Sequence, residues 1–175
     1  MSSHKYHYQN PWTLWYDSSS NNVISYEWNQ LLIRISTFDN LEDFLFLLTN
    51  IAYLTDLPLG SSYHVFKNNI EPSWEDESNK NGGKWILLLP KNSCCNINKI
   101  WEKSLSFTVF YENCNLINGI VGSVKKNHLR ISIWTSKSEA KNDQINLGKN
   151  WYFFLKNYFD DFHFKIEYSP HKSFN

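Results

Sequence analysis

The segment Ile70-Glu71-Pro72-Ser73-Trp74-Glu75-Asp76-Glu77 puts a large indole into an acidic, proline-stiffened polar stretch that offers it little core to join. An indole left in water is costly unless it binds something, and its flat face stacks well on planar rings. Beside it, Glu75 is an acceptor-only carboxylate that takes two hydrogen bonds in parallel. Guanine presents such a donor pair, N1–H and the exocyclic amine, which adenine and uracil lack. In this reading Trp74 stacks and Glu75 selects. Stacking on an aromatic contributes about 1–3 kcal/mol per base. A cationic ring gains cation–π attraction as well, so the pair favours an N7-methylated guanine.

A second constellation lies at 129–135. Leu129, Ile131 and Ile133 alternate with Arg130, Ser132 and Trp134, so a strand there sets a guanidinium and an indole on one face, two pleats apart. A cation beside a stacking surface suits a nucleotide. Taken alone, the same strand equally describes a Trp plugging a sheet edge beside an exposed Arg.

Seventeen basic residues balance 17 acidic ones, so any polyanion is met locally and not by a whole charged face. Catalytic signatures are missing: there is no Gly-x-Ser-x-Gly, and Asn81-Gly82-Gly83-Lys84 lacks the spacing of a phosphate loop. His4-x-x-His7 is the nearest approach to a metal pair, and it falls in the expected loose terminus; no enzyme, metal or cofactor is expected. Cys94, Cys95 and Cys114 fit neither a disulfide framework nor zinc-site spacing and read as reduced thiols. The first residues form no apolar signal region, and the apolar runs at 44–48 and 85–89 are far too short to span a bilayer. The expectation is a cytoplasmic monomer without membrane contact. Stacking tryptophans also occur in sugar-binding β domains, but the missing signal region and the Trp74-Glu75 pair count against that class.

These side chains need a sheet to hold them. Runs of aromatic and branched residues predict strands at 12–16, 31–36, 63–67, 85–89, 120–125, 129–135 and 164–168, with Asn127-His128 closing a tight hairpin. Three segments show helical spacing. The first opens on Asp39-Asn40-Leu41-Glu42, read as an N-cap with Glu three positions on. Its apolar positions, Leu41, Phe44, Leu45, Leu48 and Ile51, run almost all the way round, so part of that helix either meets neighbouring helices or receives a partner helix. The second runs over 97–111 with Trp101, Leu105 and Val109 in one stripe, and the third over 142–158 with Leu147, Trp151, Leu155 and Tyr158. Strands mixed with separated helices give an α+β domain with helices covering one face.

The stretches Phe66–Asp76 and Asn79–Trp85 resemble the eukaryotic translation initiation factor 4E family, whose members bind the mRNA 5′ cap. Asn10-Pro11-Trp12-Thr13-Leu14-Trp15, Phe38–Phe44 and Ile131-Ser132-Ile133-Trp134-Thr135 extend the likeness in order over about residues 9 to 170. The resemblance implies a curved antiparallel eight-stranded sheet with three helices on the convex face, as one cap-binding domain over 9–170, between a flexible segment at 1–8 and a short tail at 171–175. By family position Trp28 and Trp74 sandwich the methylguanine, Glu75 reads its edge, and Trp134 touches the N7-methyl group. Lys125 and Arg130 bind phosphate, where the family carries Arg and Lys, and Lys84 helps through water. Trp12, Trp15, Trp85 and Trp101 match structural tryptophans, and Trp151 has no counterpart.

The convex side departs from the family pattern. Partners there, the scaffold initiation factor 4G or binding proteins, dock a helix bearing Tyr-x4-Leu-Φ near Leu41. Leu45 replaces a family Trp, Glu102-Lys103 the usual Leu-Glu, Ser106 an apolar residue, and Tyr6-His7 the usual His-Pro. Lys103 should repel the basic residues of an ordinary partner. The expectation is retained cap binding with a weakened or re-specified scaffold contact; a cap-binding translational repressor shares the front face and differs only at the back. The family's C-terminal loop after Pro170 looks short or absent.

Overall fold

The computed structural model describes residues 7–18, 32–92, 96–111, 115–161 and 163–171, with side chains from residue 10 onward. Trp28, Tyr6 and all three cysteines lie outside them, as does most of the tail expected at 171–175.

In chain order the elements are β1 (His7–Asp17), β2 (Leu32–Asn40), α1 (Leu41–Asn50), a 3-10 turn (Leu54–Asp56), β3 (Ser62–Lys67), α2 (Glu77–Lys80), β4 (Gly83–Pro90), α3 (Ile97–Phe110), β5 (Ile117–Val124), β6 (His128–Thr135), α4 (Lys141–Lys156) and β7 (Ile166–Pro170). The strands form one antiparallel sheet in the order β2-β1-β3-β5-β6-β4-β7. Register shifts between Leu14 and Trp15 and between Ile117 and Gly119 bend it.

Two counts differ from expectation. Seven strands, not eight, are present among the described residues, and four helices, not three. The additional helix, α2, is a single turn nucleated by Asp76, too short to leave a 3.6-residue signature in the sequence. The cap of α1 is Asn40, one residue after the expected Asp39. Its Oδ1 accepts from the Asp43 amide at 2.9 Å and its Nδ2 donates to Asp43 Oδ2 at 2.7 Å, a reciprocal cap that Glu42 is out of step to make. The β5–β6 connection is Lys125–Asn127, not a turn on Asn127-His128, closed by the Lys125 amide on the His128 carbonyl.

One face of the sheet carries the core. Leu129, Ile131 and Ile133 of β6 pack there with Leu87 and Leu89 of β4, against Trp101 and Leu105 of α3 and Leu147, Trp151 and Leu155 of α4. Each such aliphatic side chain, fully buried, contributes about 1.5–3 kcal/mol. Two polar ties lock α4 in place. Gln144 accepts from Trp85 Nε1 at 3.2 Å and donates to Thr135 Oγ1 at 2.8 Å. Trp151, unplaced by family likeness, is a core residue whose indole N–H donates to Ser104 Oγ of α3 at 3.1 Å. Gly148 lets α4 lie against Trp85, since a Cβ there would stand 2.6 Å from the indole Cη2. Arg130, Ser132 and Trp134 lie on the opposite face, as their alternation requires, Ser132 buried and the other two half-buried.

Candidate functional site

Trp74 and Glu75 stand on the β3–β4 loop, both exposed, Trp74 at 47%. The loop is held from beneath by Asn79, which is wholly buried. Its Nδ2 donates to the carbonyls of Glu71 at 2.9 Å and Ser73 at 2.7 Å. Asn118 of β5 donates in turn to Asn79 Oδ1 at 2.9 Å and to the Ser78 carbonyl at 2.7 Å. Asp76 completes the frame by accepting from the amides of Ser78 at 2.8 Å and Glu71 at 2.9 Å. Paired backbone groups fix the loop, so the indole is presented on a preorganised base.

The loop is anchored at the end of the sheet that carries Trp134. In register, Trp134 lies opposite Lys84 of β4 and Gly119 of β5. Phe66 meets it edge-on at 5.5 Å between centroids, the His171 ring approaches to 4.4 Å, and Lys84 Nζ lies 5.7 Å from its ring centroid. Phe66 fits only because residue 119 is glycine, where a Cβ would stand 2.4 Å from the phenyl ring. Burial, then the charge of Lys84, holds His171 down at about 4, so its imidazole is neutral at physiological pH.

Arg130 follows on the same face of β6, about 13 Å from Trp134 at ~3.3 Å per residue. Lys125, at the end of β5, shares this region. Lys84, Lys125 and Arg130 are all half-buried, and burial lowers the proton affinity of each. Arg130 lowers both lysines further by repulsion, while Asp17 pulls Lys125 weakly the other way. None of the three cations has an ion-pair partner among the described residues, and Arg130 Nε is buried without an acceptor. Such a cluster suits negative charge: an anion laid across it would relieve desolvation and repulsion together. Beside it, Asp17 and His64 form a buried pair at 2.7 Å, next to a Ser62–Ser123 hydroxyl contact of 3.0 Å.

The remaining sequence candidates fall on the helix-covered side. Leu41 is half-buried and Leu45 is 51% exposed on α1; Glu102, Lys103 and Ser106 lie on α3. Glu102 pairs with Lys99 at 2.8 Å, Ser106 Oγ donates back to the Glu102 carbonyl at 2.9 Å, and the Lys103 ammonium sits 3.7 Å from the Tyr158 ring centroid. Trp28 falls outside the described residues.

Residues 7–175 match the model of the family described as eukaryotic initiation factor 4E. The eukaryotic translation initiation factor 4E of Dictyostelium discoideum is 36% identical over 172 residues, 97% of this chain and 66% of that relative. The chain belongs to the initiation factor 4E family. The Saccharomyces cerevisiae factor 4E is likewise 36% identical, over 94% of this chain and 76% of its own. The chain thus spans about two thirds to three quarters of the length of these 4E relatives. Among solved structures, Ascaris suum eIF4E-3 in complex with an m2,2,7G cap matches with a TM-score of 0.85 at 27% identity, over 98% of this chain and 94% of that one. Caenorhabditis elegans eIF4E-3, in complex with the 4E-binding protein Mextli and a cap analog, matches with a TM-score of 0.82 at 28% identity, over 95% and 93%.

Within this 4E-family chain the tryptophans divide by environment. Trp12, Trp85, Trp101 and Trp151 belong to or pack on the core. Trp15, grouped with the structural tryptophans on sequence, is half-buried on the face opposite the core, with the Arg34 guanidinium 5.8 Å from its ring centroid. Pairing with His64 in an unbroken β1–β3 ladder turns it away from Trp12 and Leu14. The supports were missed on sequence: Asn79, Asn118, Phe66, Gly119 and His171. Asn79 lay inside a motif, but nothing in one dimension marks which asparagine folds under the loop.

Proposed function

We propose that this chain binds the 7-methylguanosine cap of mRNA and acts in translation initiation. Trp74 stacks on the methylguanine and Glu75 accepts from its N1–H and exocyclic amine. Trp134 contacts the N7-methyl group, while Arg130 and Lys125, with help from Lys84, take the triphosphate. Trp28 supplies the second face of the sandwich by its position in the family resemblance. The observation that carries the reading is the make-up of the face opposite the core. A clamped loop presents an indole and a carboxylate, and on the face of the sheet that carries Trp134 stand three half-buried cations, Lys84 beside Trp134, Arg130 four residues before it on β6, and Lys125 just past β5. Relatives solved with cap analogs support it.

The test is retention on a 7-methylguanosine triphosphate resin, with elution by methylated but not unmethylated guanosine triphosphate. Trp28→Ala and Trp74→Ala should each lose most of the cap-induced fluorescence quenching and affinity. Unchanged binding by both variants would overturn the assignment.

A second reading, a cap-binding translational repressor with altered scaffold binding, is favoured by the convex side. Lys103 stands over Tyr158 where a carboxylate would greet a basic partner, and Leu45 offers a smaller apolar surface than an indole. A Tyr-x4-Leu-Φ peptide with basic flanks should bind weakly, and Lys103→Glu should strengthen it. Normal affinity, with no gain from Lys103→Glu, returns the chain to the activator reading.

A further inference from the structure

Between α3 and α4 the convex side opens into a groove of about 580 Å³, walled by Phe107 and Phe110 on one helix and Phe153 and Phe154 on the other, with Asn150 and Asn157 on its rim. Phe110 is 47% exposed and Phe153 62%, a large apolar exposure for two adjacent helices. Ring contacts stiffen both walls. Phe107 meets Phe154 at 5.3 Å, Phe154 meets Tyr158 at 5.3 Å, and Phe110 rests edge-on against Phe44 of α1 at 5.7 Å. Ser106 lines the groove too, so it adjoins the α3 surface to which family likeness assigns partner binding.

The charge around the groove selects its occupant. No residue lining it is charged. One turn before the groove residue Ser106, Lys103 of α3 holds its ammonium 3.7 Å from the ring centroid of Tyr158, which follows the groove residue Asn157, and has no carboxylate partner among the described residues. The nearest acid along α3, Glu102, is already held by Lys99. We infer that the α3–α4 groove docks an amphipathic partner helix whose apolar residues, one turn apart, enter between Phe110 and Phe153, and whose acidic end meets Lys103. The inference rests on the reading that the convex side receives a partner helix, and it moves the main apolar contact from α1 to the α3–α4 junction. An aromatic groove supplies apolar burial, and Lys103 fixes orientation and rejects basic ends.

The probe is a display library of 16-residue helical peptides with randomised faces, selected on the immobilised full chain. Enriched sequences should carry two or three large apolar residues one turn apart and Asp or Glu toward one end. Their affinity should fall at least tenfold on Phe153→Ser and on Lys103→Glu protein and persist on Leu45→Ser protein, with each variant checked for fold by circular dichroism. Enrichment without an acidic end, or none, overturns the inference. Loss on Leu45→Ser with no loss on Phe153→Ser also overturns it, but places the helix on α1 and leaves the partner-helix reading standing. Sedimentation showing self-association that Phe153→Ser abolishes would assign the groove to a second copy and overturn it as well. Cap-resin retention of the same proteins reports separately on the cap site.

Discussion

The side-chain amide of Asn79 donates to the carbonyl oxygen of Ser73 at 2.7 Å, one residue before the exposed Trp74. That bond, with its companion to the Glu71 carbonyl, makes a buried asparagine the foundation of the loop. Asn79→Ala leaves those carbonyls and the Asn118 amide short of a partner, at about 1–3 kcal/mol for each group left unpaired. Denaturant titration should show a loss in that range. Cap affinity, by quenching, should fall in conditions where the variant is still folded; intact affinity would mean that the loop holds its shape without the clamp.

Gly119 sets Trp134 indirectly, through Phe66. Gly119→Ala pushes a methyl into the phenyl ring, and overpacking of this kind costs about 1–3 kcal/mol. Gly119→Ala with Phe66→Leu should recover stability while cap affinity stays reduced, because the edge-on support of Trp134 is gone. Full recovery of binding in the double variant would show that Trp134 needs no such prop.

The proposed phosphate site predicts that its cations, half-buried and mutually repelling, cost the ligand-free protein stability. Arg130→Met is expected to raise the melting temperature without ligand and to lower affinity for 7-methylguanosine triphosphate about 10–100-fold, the worth of lost charge-assisted bonds. Its binding should also respond less to salt. An unchanged affinity, measured by quenching at two ionic strengths, would remove Arg130 from the phosphate site.

His171 gives the fold a defined acid sensitivity. It gains a proton below 6.5 in the unfolded chain, but only below about 4 in the fold. The unfolded state therefore binds more protons across that interval, so stability that is full above pH 6.5 is lost as pH falls toward about 4. His171→Phe keeps a ring against Trp134 and cannot titrate. Its melting temperature should fall less steeply between pH 6.5 and 4 than that of the natural chain, and equal slopes would assign the acid loss to other groups.

Much of this was legible in one dimension. The alternation of Leu129, Ile131 and Ile133 with Arg130, Ser132 and Trp134 fixed which face of β6 is core, because a strand has a period of two. The stripes through Trp101 and Trp151 placed α3 and α4 on the core, and the acidic, proline-bearing loop marked Trp74 as exposed. Features that depend on a shift of one residue were not legible. Asp39 and Asn40 are both good caps, and only the path of β2 into α1 decides between them.

The sequence by itself determined the class of domain and the two faces of its strands, and it singled out the residues proposed to recognise a methylated guanine. Local pattern and residue type suffice for these, since periodicity sorts faces and a carboxylate or guanidinium carries its chemistry wherever it sits. Tertiary structure decided what supports them. Asn79 lies under Glu71 and Ser73, Gly119 yields space to Phe66, His171 closes on Trp134, and Lys103 of α3 settles over Tyr158, just beyond α4. Most of these contacts join residues far apart in the chain, and their energies come from burial and geometry that exist only once sheet and helices have packed.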